Sequence, residues 1–285
     1  MSKSMGGEGQ RSLAVPVPGR EGIAGDFDAW LAKNLLPPDA SAPPEGIAPF
    51  PPADLMHNTT GLTEPRDFAS HGVHFMRALS KLSPTALCDF RSVLDFGVGV
   101  GRVARLFHGF QGRYVGMDVD ERHIAWVDRS LTHVEGVRTW PRHRLPAPDR
   151  SFDAVISISV FSHLSEADHL FYLDELARVT VPGAVLFLSV HGERALRRAR
   201  EEERIFAMLD IPADALDAAA GSLHGGRGYA FIRQNGHLTS AAYDYGITFV
   251  SQDYVRSEWA KRFEVAAIGA GALHDFQDVV ILRAR

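Results

Sequence analysis

Residues 93–102 read VLDFGVGVGR. An apolar strand delivers Asp95, then Gly97, Gly99 and Gly101 alternate, and a helix is expected to start at Arg102. Glycine permits tight curvature and lets a bulky ligand approach the main chain, here at a helix N-terminus. Outward from this loop, a second strand over 114–118 ends in Asp118, 23 residues after Asp95, inside YVGMDVD. At the carboxyl edge of adjacent parallel strands, an acid so placed accepts bonds from the two hydroxyls of a ribose. Loop and acid together describe a nucleoside pocket.

Further strands are expected at 92–96, 152–157 and 184–189, and helices at 102–108, 122–131 and 167–179. The alternation implies βα units and a parallel sheet. Ser165 and Asp168 have capping-box spacing, and Pro182-Gly183 is expected to break the helix that follows. A helix at 253–263 and strands at 264–268 and 276–282, joined only by GAGALHD, predict an antiparallel closing pair. Upstream, nine of 16 prolines fall in the first 60 residues. Residues 1–62 therefore read as extended or partly disordered, apart from a short helix near 27–35. Residues 63–285 read as one domain, with a cap helix in 63–90 whose helical spacing covers 67–82. The stretch 192–248 holds a charged helix (ERALRRAREEER), an alanine-rich turn and the glycine-rich GSLHGGRGYAF, and reads as an inserted substrate cap.

The chain has 285 residues, 45% of them apolar and 23% charged, enough apolar side chain for a sizeable core. A net charge of −5 provides no global field for phosphate backbones, so nucleic acid is a poor partner and a small-molecule substrate is expected. Cys88 is the single cysteine, which excludes an intrachain disulfide and multi-cysteine metal sites. With neither HExxH nor clustered ligands, no metal is expected. No signal-peptide core or run of about 18 apolar residues is present, so a cytoplasmic chain without membrane attachment is expected. Oligomeric state is not legible.

Two cofactors compete for the glycine loop. Residues 99–104 (GVGRVA) fit the dinucleotide fingerprint, with Asp118 nineteen residues beyond Gly99. Asp95, however, stands two residues before the first glycine, awkward beside a pyrophosphate and suited to an ammonium group. The chain here resembles the class I S-adenosylmethionine-dependent methyltransferases. VLDFGVGVGR and GMDVD resemble that family's first motif and its acidic second strand. LPAPDRSFDAVISISVFSHL (145–164) and DELARVTVPGAVLFLSVHG (174–192) follow in the family's order.

The resemblance implies an α/β, Rossmann-like, seven-stranded, mostly parallel sheet in the order 3-2-1-4-5-7-6, the last strand antiparallel. It implies S-adenosyl-L-methionine as cofactor, its methionine part held by Asp95 and the backbone of Gly97, Val98, Gly99 and Gly101, and its ribose by Asp118. Val119 would pack on adenine, and Ser157 to Ser159 would line the path to the acceptor. The stretch VRTWPRHR lacks the usual Asp or Asn for the adenine amino group, so Thr139 or Trp140 would substitute.

Methyl transfer needs alignment first and a base only for a protonated acceptor. His163, just beyond the fourth strand, is the leading candidate base, ahead of His191 past the fifth; the plain alternative is a turn-capping histidine. His71 and His74 on the cap helix, Arg102 as a carboxylate partner, and Tyr243 and Tyr245 beside a sulfonium complete the candidates. The expected function is transfer of a methyl group to a small-molecule hydroxyl or amine. Alternatives are a cyclase or lyase releasing methylthioadenosine, a non-catalytic nucleoside-binding module and, more remotely, a dinucleotide oxidoreductase.

Overall fold

The computed structural model describes residues 21–37, 44–234 and 244–285. Three helices lead in: α1 (Phe27–Lys33), α2 (Ala53–Thr60) and α3 (Pro65–Leu82). Asp26 caps α1 by accepting from Ala29 N at 3.0 Å, and Pro65 opens α3 where its missing N–H leaves no bond unmade. The apolar stripe Phe68, Val73, Phe75, Met76 and Leu79 is buried, as its spacing predicts.

The remaining strands are β1 (Ser92–Phe96), β2 (Arg113–Asp118), β3 (Glu135–Arg138), β4 (Phe152–Ser157), β5 (Thr180–Val190), β6 (Tyr229–Arg233), β7 (Gly246–Val250), β8 (Phe263–Leu273) and β9 (Gln277–Ala284). Helices α4 (Glu121–Ser130), α5 (Glu166–Val179), α6 (Glu193–Glu201), α7 (Glu203–Leu209), α8 (Ala213–Gly225) and α9 (Gln252–Glu258) connect them. One sheet runs β3-β2-β1-β4-β5-β9-β8. Strands β1 to β5 pair in parallel, while β9 is antiparallel to both β5 and β8. With β8 and β9 counted as the sixth and seventh core strands, this is the expected order.

Both faces of the sheet are covered, which is why its strands read as near-continuous apolar runs. Val93, Ala154 and Phe187 face α3, α4 and the amino-terminal segment, while Leu94, Val155 and Leu186 face α5 and α9. The β6–β7 hairpin and α6 to α8 gather a third apolar cluster around Leu196, Ile205, Leu216 and Phe249. This unit sits on the carboxyl edge of the sheet. Thr248 N donates to Ser162 O at 2.8 Å, Thr248 Oγ1 to Leu164 O at 2.6 Å, and Val250 N to His191 O at 2.9 Å.

Several local expectations are corrected. The glycine loop leads not into an α-helix from Arg102 but into a single 3-10 turn, Ala104–Phe107. Carbonyls of this turn accept from outside it: Leu106 O from Trp30 Nε1 (2.8 Å) and His108 O from Ile23 N (2.8 Å), while Ala104 O lies 2.9 Å from the His133 ring. The described part of the proline-rich segment is correspondingly less extended than its composition suggests. Ile23, Trp30, Leu31 and Met56 are buried. Arg105, also buried, donates to Ala48 O (2.6 Å) and lies 4.0 Å from the centre of the Phe50 ring. Strand β5 begins at Thr180, ahead of Pro182-Gly183, which form an irregularity in its pairing with β4. The alanine-rich stretch is helix α8, consistent with alanine's high helix propensity. Most of GAGALHD belongs to β8, and the reversal falls at His274 and Asp275, each with φ of 55°.

Trp30→Ala is expected to cost about 3–5 kcal/mol in urea-induced unfolding, because it removes a buried indole and orphans Leu106 O. A loss below about 1 kcal/mol would show that this segment lies on the domain without stabilising it.

Candidate active site

A cavity of about 220 Å³ opens at the carboxyl ends of β1, β2 and β4, far larger than a single water requires. Its floor is the glycine loop. Gly97 N and Val98 N both donate to Met117 O, at 2.8 and 3.0 Å, folding the end of β1 over β2. Gly97 (φ 82°) and Gly99 (φ 54°) occupy the left-handed region, and a Cβ there would lie 2.2 Å from Val160 Cγ2 and 2.4 Å from Thr59 Cγ2, respectively. Only glycine fits both the conformation and the space. Gly101 lies behind the wall, packed on Leu131.

Asp95 lines the cavity yet is only 4% exposed. Burial lifts its carboxyl to about 7, against the lowering effect of the bond that Tyr114 Oη donates to Oδ2 at 2.8 Å. Arg102, also on the wall, carries the complementary cation and stacks over Phe75 at 4.5 Å. At the end of β2, Asp118 accepts from Gly99 N (2.9 Å, Oδ2) and Asp120 N (2.8 Å, Oδ1). His123 Nδ1 lies 3.3 Å from Oδ1, leaving acceptor capacity on Oδ2. Val119 and Thr139 also line this part, and Thr139 N donates to Asp118 O at 2.8 Å. An anion, a cation, glycine backbone and a second acid along one cavity fit an amino-acid nucleoside.

The other end is built by Ser159, Val160, His163, Leu164, Asp168, Tyr172, Arg142 and Tyr245. Ser159 has φ of 62° and is held by Ser189, whose Oγ accepts from Ser159 N at 2.7 Å, and by Gln277 at 3.2 Å. His163 Nδ1 lies 2.9 Å from Gly246 O, an acceptor only, so Nδ1 carries a proton and donates it there. Tyr245 stacks on that ring at 4.8 Å and 9°. Arg142 pairs with the buried Asp168, which also accepts from Ser165 Oγ at 2.8 Å.

Six expected residues lie off the cavity wall. Besides Gly101, Trp140 is 50% exposed, leaving Thr139 at the adenine position of the expectation. Ser157 is fully buried and donates to Phe96 O at 2.9 Å, tying β4 to β1. His191 is enclosed by Phe249, Phe276 and Gln277, where burial, with His163 nearby, holds its pKa at about 3. His74 stacks on His274 at 4.2 Å and His71 lies tilted against it at 4.1 Å, both away from the wall. Tyr243 lies outside the described residues.

The sequence reading missed Asn58 and Thr59 at the end of α2, His123, and the Arg142, Asp168 and Tyr172 group. His123 was traceable, since an Asp120 N-cap puts residue 123 in the same first turn, beside Asp118. Arg142 was not, because its position depends on a positive-φ backbone (56°) and on pairing with a helix 26 residues away.

Because Asp95 binds its proton more tightly folded than unfolded, its stabilising contribution is present at low pH and lost as pH rises through about 7. Asp95→Asn should therefore gain stability over the wild type by roughly 2–4 kcal/mol between pH 5 and pH 8 in chemical denaturation. A difference that does not change with pH would refute the buried, proton-holding carboxyl.

Residues 94–188 match the family model described as "Methyltransferase domain". A probable S-adenosylmethionine-dependent methyltransferase of Mycolicibacterium smegmatis is 33% identical over 122 residues, 43% of this chain and 44% of that protein. Another, from Mycobacterium tuberculosis H37Rv, is 32% identical over 150 residues, 52% of each. The chain thus spans about half the length of the curated relatives it matches. The crystal structure of the PH0226 protein from Pyrococcus horikoshii shares the fold, with a TM-score of 0.55 and 17% identity over 77% of this chain and 92% of that one. The matched residues contain the glycine loop, its acid and the strands that frame the cavity, so this part of the chain is similar to S-adenosylmethionine-dependent methyltransferases.

Proposed function

We propose that the chain transfers a methyl group from S-adenosyl-L-methionine to a hydroxyl or amine of a small molecule. The observation that carries this reading is the order of charges along one cavity, from Asp95 and Arg102 to Asp118, with His163 at the opposite end. The cofactor, when bound, supplies a methyl group on a sulfonium centre, open to in-line displacement.

Asp95 is the partner for the α-ammonium group, and a neighbouring cation favours its ionised form. Arg102 faces the α-carboxylate, the Gly97 to Gly99 backbone gives the close approach, and Asp118 accepts from the ribose. His163 Nε2 takes the proton of a hydroxyl or ammonium acceptor, while Gly246 O and Tyr245 hold the ring in place. The hairpin cap bonded to Ser162 and Leu164 excludes water and aligns the acceptor, the larger part of catalysis for an already activated donor. The net charge of −5 favours a small acceptor over a polyanion.

Incubation of the full chain with S-adenosyl-L-methionine, alone and with small-molecule extract, followed by mass spectrometry, tests the reading. S-adenosylhomocysteine together with an acceptor heavier by one methyl group is expected, and His163→Ala should slow transfer to a hydroxyl about 10²- to 10⁴-fold. Methylthioadenosine as product would mean cleavage of the methionine chain instead. Tight binding with the cofactor left intact would mean a binding module.

A further inference from the structure

We infer that His123 is a positioning residue that sets the ribose-binding carboxylate of Asp118 and ties it to the end of helix α2, which covers the glycine loop. The inference rests on the cofactor reading above. His123 is 8% exposed and lines the cavity in the first turn of α4. Its Nδ1 lies 3.3 Å from Asp118 Oδ1, and its Nε2 lies 3.1 Å from Thr59 Oγ1 and 3.8 Å from Asp120 Oδ2. Thr59 directs its own hydroxyl proton to Leu55 O at 2.9 Å, so it offers the ring only lone pairs. Both ring nitrogens therefore face oxygen acceptors, one on Asp118 and one on Thr59, and the ring bridges the two residues. The Thr59 methyl in turn sits where a Cβ on Gly99 would fall, so the same residue closes the loop from above.

A continuous chain, Asp118–His123–Thr59, thus joins the carboxylate to α2. It fixes the rotamer of Asp118 and directs Oδ2, bonded to Gly99 N, at the loop. Without His123, the carboxylate keeps its charge but loses a fixed direction, and α2 loses its contact with the ligand's acid.

The test is calorimetric titration of the full chain with S-adenosylhomocysteine and its 2′-deoxyribose analogue, with hydrogen exchange of residues 53–60 followed in parallel. In the wild type, loss of the hydroxyl should weaken binding about tenfold or more, and S-adenosylhomocysteine should slow exchange in α2. In His123→Ala the analogue penalty should fall to about twofold and the ligand-dependent protection should vanish. Thr59→Val, which keeps the shape of the side chain, should lose the protection while retaining most of the penalty. An undiminished penalty in His123→Ala, or unchanged protection in Thr59→Val, overturns the inference and leaves the cofactor reading standing. Failure of the wild type to bind S-adenosylhomocysteine, or equal affinity for both ligands, overturns the role of Asp118 itself and the inference with it.

Discussion

The carboxylate of Asp118 fixes the geometry on which the site depends. A loop of alternating glycines at the end of a strand has too much freedom to hold one shape by itself, and each backbone N–H in it needs a partner. Asp118 supplies one at Gly99 and closes its own turn through Asp120 N, while Met117 O takes the N–H groups of Gly97 and Val98. These bonds exist because β1 and β2 are parallel neighbours with Asp95 opposite Gly116 and Phe96 opposite Met117. Shifting that register by one residue would turn the loop away from its acid and move Asp95 off the cavity floor.

The site is assembled from three parts that meet at one sheet edge. The strand ends carry the acids, α2 brings Thr59 down on Gly99, and the β6–β7 cap is bonded to the turn after β4. The last contact ties one end of the cavity to the stretch after β5: His163 Nδ1 lies 2.9 Å from Gly246 O, at the start of β7.

Much of this was legible in the sequence. Strands β1 and β4 fall at their expected bounds, because short runs rich in Val, Leu, Ile and Phe have few other readings in an alternating α/β chain. The terminal antiparallel pair was equally visible from its short connection. What was illegible depends on partners distant in sequence. The turn after the glycine loop is tied to residues some 80 positions upstream, Ile23 and Trp30, which donate to His108 O and Leu106 O. Ser157 and His191 carry side chains suited to chemistry, yet the pleat turns the first toward β1 and the cap encloses the second. Side-chain type and strand position were readable, but direction and enclosure were set by elements the local pattern does not contain.

The central claim is that the cavity accommodates an amino-acid nucleoside rather than a dinucleotide, and parallel titrations of the full chain with S-adenosyl-L-methionine and with NAD test it most directly. Saturable binding of S-adenosyl-L-methionine with no detectable affinity for NAD is the predicted result. Binding of NAD with no affinity for S-adenosyl-L-methionine would contradict the account, because Asp95 would then have to stand beside a pyrophosphate.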